Sequence, residues 1–190
     1  MSVRGDNSRT KILKSARKLF AEKGYSKVTM QDICTAAEIS RGGLYRHYSS
    51  TEEIFSEIIR KDESDALDFL SSAVLDHVSG ELMFKTFLKL RINILLDPEE
   101  CIDNAISEFA ANSVVGKELL IERANNSIQI LTEMLELGCT DGSFKCSDCK
   151  AVSKMILWCL EGLGKHNALI PITKEEADTF VSMIINSISA

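Results

Sequence analysis

Apolar residues recur every three or four positions along almost the whole chain, and strand-like alternation is hard to find. That spacing lines one face of an α-helix, so it decides the class of fold before any motif is considered. Ile12, Leu13, Ala16, Leu19 and Phe20 form one stripe, and Ile54, Phe55, Ile58 and Ile59 another. Later stripes run through Met83–Leu95, Cys101–Phe109, Leu120–Leu135, Val152–Leu163 and Ala177–Ile188. Only two prolines, Pro98 and Pro171, interrupt them. The pattern predicts an all-α chain of about nine helices, with no repeat or low-complexity segment. At 190 residues, 45% of them apolar, the chain has enough material for a sizeable core and is not the composition of a disordered protein. No apolar run approaches the ~18 residues needed to span a bilayer, so no membrane partner is expected. The first twenty residues mix Arg, Lys and Asp with apolar positions, unlike a secretory leader, and a cytoplasmic location is expected.

The net charge of −6 hides two opposite parts. Residues 1–50 carry ten basic and four acidic side chains, a surplus of +6, while residues 51–190 sum to −12. A basic head on an acidic body suggests nucleic acid or membrane contact at the basic end. A solvated helical surface is the plainer alternative, and the motif inside the head is what separates the two.

Helix signals in the head are dense. A first helix from about Ser8 to Lys23 stops at Gly24, which tolerates a left-handed backbone. Thr29 opens a second helix, with Asp32 three residues later as a capping-box variant, and Met30, Ile33 and Ala37 on its buried side. Ser40 caps a third, Arg41 to Tyr48, and Ser50 with Glu53 opens a fourth at Thr51. Two short helices joined by a tight turn and braced by a longer one describe a helix-turn-helix. The third has a single aliphatic anchor, Leu44; its remaining residues are small, aromatic or basic. Gly42 and Gly43 permit close backbone approach and offer N–H groups to a phosphate. Arg41 and Arg46 have the reach for guanine edges or phosphates. Tyr45, His47 and Tyr48 supply hydroxyl and imidazole donors. Such a helix suits the DNA major groove.

The stretch from Thr29 through Ser40-Arg-Gly-Gly-Leu-Tyr-Arg-His-Tyr48 to Phe55, with Ile12 to Tyr25 upstream, resembles the signature of TetR/AcrR-type transcriptional regulators. The resemblance covers about the first 60 residues. It implies an N-terminal three-helix DNA-binding domain, 1–50, and a helical ligand-binding and dimerisation domain, 51–190. It also implies a homodimer on a palindromic double-stranded operator, usually repressing, and released by a small-molecule effector. The family's DNA-contacting positions fall on Thr29, Arg41, Gly42, Gly43, Tyr45, Arg46 and His47, with Tyr48 added from its place on the third helix. Thr51 stands where the family often has a phosphate-binding Lys, so it keeps a hydroxyl but not the charge. Tyr48 has a second place open to it, packed against the first helix. Arg4 and Arg9 form either an arm over the phosphates or a disordered tail.

In the body, helices near 147–167 and 173–188 are apolar around much of their girth and are the expected dimer helices, a bundle of four in the pair. Phe84, Phe87, Phe109 and Trp158 are candidates to line an effector pocket, with Glu108 and Asn112 as its polar contacts; for each, ordinary core or surface is the alternative.

Six cysteines without an export signal read as thiols rather than a disulfide framework. Cys34, Cys101 and Cys159 sit on apolar stripes. Cys146 and Cys149 straddle a helix start near Ser147, with Cys139 close by, and a helix N-terminus favours thiolate. They support an alternative function, a redox or soft-metal sensor. Zinc would want a fourth ligand, and Asp148 opposes thiolate formation. An enzyme is not expected. The three histidines, His47, His77 and His166, lie in unrelated contexts, no Gly-rich phosphate loop occurs, and no acid pair is clustered. No cofactor is implied.

Overall fold

The computed structural model describes the backbone of residues 3–189 and the side chains of residues 8–189. Among the described residues there are nine helices: α1 Val3–Lys23, α2 Met30–Ala36, α3 Arg41–Tyr45, α4 Thr51–Leu75, α5 Gly80–Leu96, α6 Asp103–Asn112, α7 Val114–Thr140, α8 Cys149–Asn167 and α9 Lys174–Ile188. The only extended pairing among them is one isolated antiparallel bridge, Phe144 to Ser189. The all-α reading therefore holds.

Capping chemistry sets most of the boundaries. Gly24 ends α1 at φ 78°, its N–H bonded to the Phe20 carbonyl at 3.0 Å. Ser79 caps α5, and Thr173 caps α9 in a full capping box with Glu176. Asp148 caps α8, so that helix starts two residues later than the sequence suggested and Cys149 is its first residue. α3 is shorter than expected, because the chain turns at Leu44, whose carbonyl accepts from both His47 and Tyr48.

The helices pack as two compact units. The first takes residues 1–62 and 98–120, the second 63–97 and 121–190. These units do not divide at the expected 50/51. The opening turns of α4 and the whole of α6 belong with the head because their apolar faces complete its core. Ile54, Phe55, Ile58 and Ile59 from α4 join Ile102, Ala105, Ile106 and Phe109 around Ile12, Ala16 and Phe20 of α1. At the centre Phe20, Tyr25, Phe55 and Phe109 meet with ring centroids 4.5–5.9 Å apart.

The second unit packs α5 against α8 and α9. Met83, Phe84, Leu88, Leu131, Met134, Leu135, Ile156 and Val181 are among its buried residues. α5 begins backbone-on-backbone against the end of α7: a Cβ on Gly80 would stand 2.2 Å from the Gly138 Cα. Asn167 ties the end of α8 to α5 by donating to the Leu95 carbonyl at 2.8 Å. No helix among the described residues is long and apolar enough to cross a membrane.

Candidate nucleic-acid interface

The interface is built on α2 and α3. α2 is held at its start by Thr29. The Thr29 hydroxyl accepts from the Asp32 N–H at 3.2 Å, and the Asp32 carboxylate accepts from the Thr29 N–H at 2.9 Å. These bonds, chiefly from Thr29 and then the neighbouring Lys23 charge, hold the Asp32 carboxyl below the ordinary carboxylate range. Thr29, expected from the resemblance at the DNA, thus already works as a cap. Thr29→Ala is expected to cost about 1 kcal/mol of stability, the usual loss for an N-cap. The depressed Asp32 carboxyl adds a sign. Its contribution is present above the unfolded-state value of about 3.9 and is lost as pH falls below it. The stability gap between wild type and Thr29→Ala in chemical denaturation should therefore narrow in acid, leaving the share of the hydroxyl bond to the Asp32 N–H.

The turn between α2 and α3 passes through Glu38, a non-glycine residue at φ 51°. Nothing in the residue type announces this. The conformation costs a Cβ-bearing residue about 1–2 kcal/mol. It is held by the Ile39 N–H bonding the Cys34 carbonyl at 3.0 Å, and Lys11 pairs with the Glu38 carboxylate at 2.8 Å.

The two glycines of α3 serve different ends. A Cβ on Gly42 would meet nothing within 4 Å, so that side of the helix is open. A Cβ on Gly43 would stand 2.8 Å from Ile39 Cγ1, and its N–H is taken by Ser40 Oγ at 3.1 Å. Gly43 is thus a packing residue, and its amide is already bonded within the protein. Leu44 is buried, as its aliphatic character requires.

Tyr48 needs a correction as a DNA contact. It is 2% exposed and sits in the core of the head. Its hydroxyl accepts from Arg9 Nε at 3.2 Å. Burial, partly offset by Arg9, pushes its hydroxyl up to about 12. Arg9 is likewise no arm. Its guanidinium grips Glu57 with two bonds, 2.7 and 2.6 Å, which raise its already high pKa, and it lies over the Tyr48 ring at 5.9 Å. The Arg4 side chain lies outside the described residues. Thr51 also has an internal partner, the Tyr25 hydroxyl.

The basic surplus of the head is sorted by these pairings. Arg17 reaches Asp62 and Glu100, each at 2.7 Å; Lys18 pairs with Glu99 and Lys23 with Asp32. With Arg9 and Lys11, five basic residues are engaged by carboxylates. The side chains of Arg41, Tyr45 and Arg46 are exposed and make no hydrogen bond or ion pair among the described residues; His47 is half-buried with its ring beside Tyr48. α3 thus presents two guanidinium groups and a phenol to solvent.

The candidate effector residues are divided between the two units. Phe109 is in the aromatic centre of the first unit, against Tyr25 and Phe55. Glu108 accepts from the Ser26 N–H at 3.0 Å beside Gly24, and Asn112 is exposed, donating to the Glu108 carbonyl. These three belong to the first unit; Phe84, Phe87 and Trp158 belong to the second. Phe84 is fully buried edge-on to Phe144, Phe87 is half-buried near Phe69, and Trp158 is 63% exposed. Helical periodicity shows which residues are apolar, not which helices share a core.

The three thiols do converge. Cys139 Sγ lies 3.8 Å from Cys149 Sγ, and Cys146 also hydrogen-bonds Cys149. The expected thiolate is reversed at Cys149: burial, then the two neighbouring thiols, push it up to about 12. Among the described residues no group of three or more His, Cys, Asp or Glu is disposed to hold a metal ion.

A helix-turn-helix with a bared basic second helix, carried on an all-helical body, defines a class of DNA-binding regulators. Comparison with known proteins narrows the class. Residues 12–58 match the family model described as bacterial regulatory proteins, tetR family, and residues 85–190 that of the QacR-like protein C-terminal region. The chain is 32% identical over 148 residues to the transcriptional repressor KstR2 of Rhodococcus jostii, covering 72% of this chain and 68% of that one. It is 27% identical over 162 residues to the transcriptional regulator QacR of Staphylococcus aureus, covering 83% and 84%. A solved TetR-family regulator from Agrobacterium tumefaciens shares the fold with a TM-score of 0.82 at 14% identity, over 98% of this chain and 100% of that one. The chain belongs to the TetR family of transcriptional regulators.

Proposed function

We propose that this chain is a ligand-responsive repressor that binds a palindromic operator as a homodimer, through α2 and α3, and leaves it when a small effector binds. Residues 1–50 read the DNA; residues 51–190 dimerise and take the effector. The observation that carries the reading is the state of the basic residues. Five of the ten are held by carboxylates within the head, while Arg41 and Arg46 stand exposed and unpaired on either side of Tyr45.

Two further features support a pair of chains. On α8, Ser153, Ile156, Leu160 and Gly164 are buried, while Met155 and Trp158 are 61% and 63% exposed and Gly162 has open space above it. On α9, Met183 is 68% exposed opposite a buried Ala177, Val181 and Ile185. Large side chains of this kind favour a covering partner, and a two-fold pair would match a palindrome. We propose that the effector binds within the second unit, on α5 near Phe87. A bacterial regulator of this kind works in the cytoplasm, where the DNA is.

The test is binding to an operator selected from random DNA, followed by fluorescence anisotropy across a salt series. A dimer neutralising about 8 phosphates should give log K against log salt a slope near −7. Two chains per site are expected by sedimentation. A slope near zero, or one chain per site, overturns the reading.

A further inference from the structure

The thiol cluster at the turn between α7 and α8 is not used by DNA reading. Cys139 lies in the last turn of α7 and Cys149 opens α8, with their sulfurs 3.8 Å apart. Both are half-buried, so a small reagent can reach them. The segment between them is tied down from several sides. Asp141 accepts from the Gly80 N–H at 2.6 Å and from the Ser143 N–H at 2.9 Å. The Phe144 N–H bonds the Gly138 carbonyl at 2.9 Å, and the Lys145 N–H bonds the Ile188 carbonyl at 2.8 Å. Phe144 packs edge-on to Phe84. Ser153 holds the Cys149 carbonyl at 2.8 Å. The backbone that carries both thiols is therefore fixed, and a bond of about 2.05 Å asks only that the two sulfurs close a short gap.

We propose that Cys139 and Cys149 form a reversible disulfide by exchange with low-molecular-weight disulfides, giving this regulator a thiol modification site at the junction of α7 and α8. In the first step the Cys139 sulfur attacks one sulfur of the reagent RSSR. A Cys139–SR bond forms, the reagent's S–S bond breaks, and the departing RS⁻ takes up the proton Cys139 lost, leaving as RSH. In the second, the Cys149 sulfur attacks Cys139 Sγ and displaces the other RS⁻, which leaves as RSH with the proton from Cys149. Two protein thiols lose two electrons in all, and RSSR becomes two RSH. Cys149 suits the second role. It is held as the neutral thiol, so it is a poor first attacker, but a fixed neighbour at this distance reacts at high effective concentration.

The experiment uses the full chain with Cys159→Ser, which removes the exposed thiol outside the cluster. The protein is equilibrated with 2-hydroxyethyl disulfide and 2-mercaptoethanol at varied ratios, alkylated, and mapped by peptide mass spectrometry. The expected product lacks two hydrogens, links Cys139 to Cys149, and returns to the dithiol with excess 2-mercaptoethanol. In a Cys149→Ser variant the reaction should stop at a hydroxyethylthio adduct on Cys139. If that variant does not fold, the mapping with Cys149 in place decides alone. A persistent adduct with Cys149 present, a link through Cys146, or no oxidation overturns the proposal. None of these outcomes bears on operator binding, so the two readings stand or fall separately.

Discussion

Arg41→Ala is expected to lower operator affinity about thirtyfold or more while leaving the thermal unfolding of the protein unchanged. A well-made Arg contact to a base is worth about 1–3 kcal/mol, and a two-fold dimer loses it twice, about 2–6 kcal/mol in all. Arg41 is exposed and bonds to nothing among the described residues, so its loss leaves the fold intact. Tyr45→Ala, at a side chain 49% exposed on the same helix, should act in the same direction. Lys11→Ala is the control. It is equally basic and exposed, but Glu38 already holds it, so its effect on affinity should stay within about threefold, the scale of an exposed ion pair. Anisotropy titrations of the three variants on one selected operator decide the matter. Equal affinities for wild type and both α3 variants would remove α3 as the reading helix.

Phe109→Ala is expected to destabilise the protein by about 3–5 kcal/mol, the cost of emptying an aromatic core site. Phe109 is fully buried, 4.6 Å from the Tyr25 ring and 5.4 Å from Phe55. A typical domain has only about 5–15 kcal/mol to lose. Trp158→Ala should stay within about 0.5 kcal/mol of wild type in the separated chain, because most of the indole is already in water. Urea unfolding at low protein concentration compares the two. A small loss for Phe109 and a large one for Trp158 would reverse the assignment of core and surface argued above.

The same pair shows how far the sequence could be read. The helices themselves were legible, because spacing of apolar residues and capping pairs such as Thr29 with Asp32 and Thr173 with Glu176 act within a few residues. The helix-turn-helix was legible for the same reason. Tyr48 was not. Its neighbours Tyr45 and His47 carry similar chemistry, and only the turn after Leu44 and the placing of Arg9 and Glu57 decide that Tyr48 goes inward. The unit to which each candidate effector residue belongs was not legible either. Phe84 and Phe109 look alike along the chain, yet they pack in different units. The thiols were a mixed case. Their closeness followed from sequence separation and the turn at Asp141-Gly142, but the sign of the Cys149 shift followed from burial, which a helix-start argument ignores.

The sequence by itself determined the all-α class, the reading motif, the family, and the split between a basic head and an acidic body. Each rests on local periodicity, local hydrogen bonds or simple addition of charge. Only the tertiary structure decided which charges remain for DNA. Arg9 and Glu57 are 48 residues apart, Arg17 and Asp62 45, and Lys18 and Glu99 81, so no local rule pairs them. A count of +6 treats every basic residue alike. Packing brings carboxylates from α4 and from the segment before α6 to Arg9, Arg17 and Lys18, and leaves Arg41 and Arg46 bare on α3.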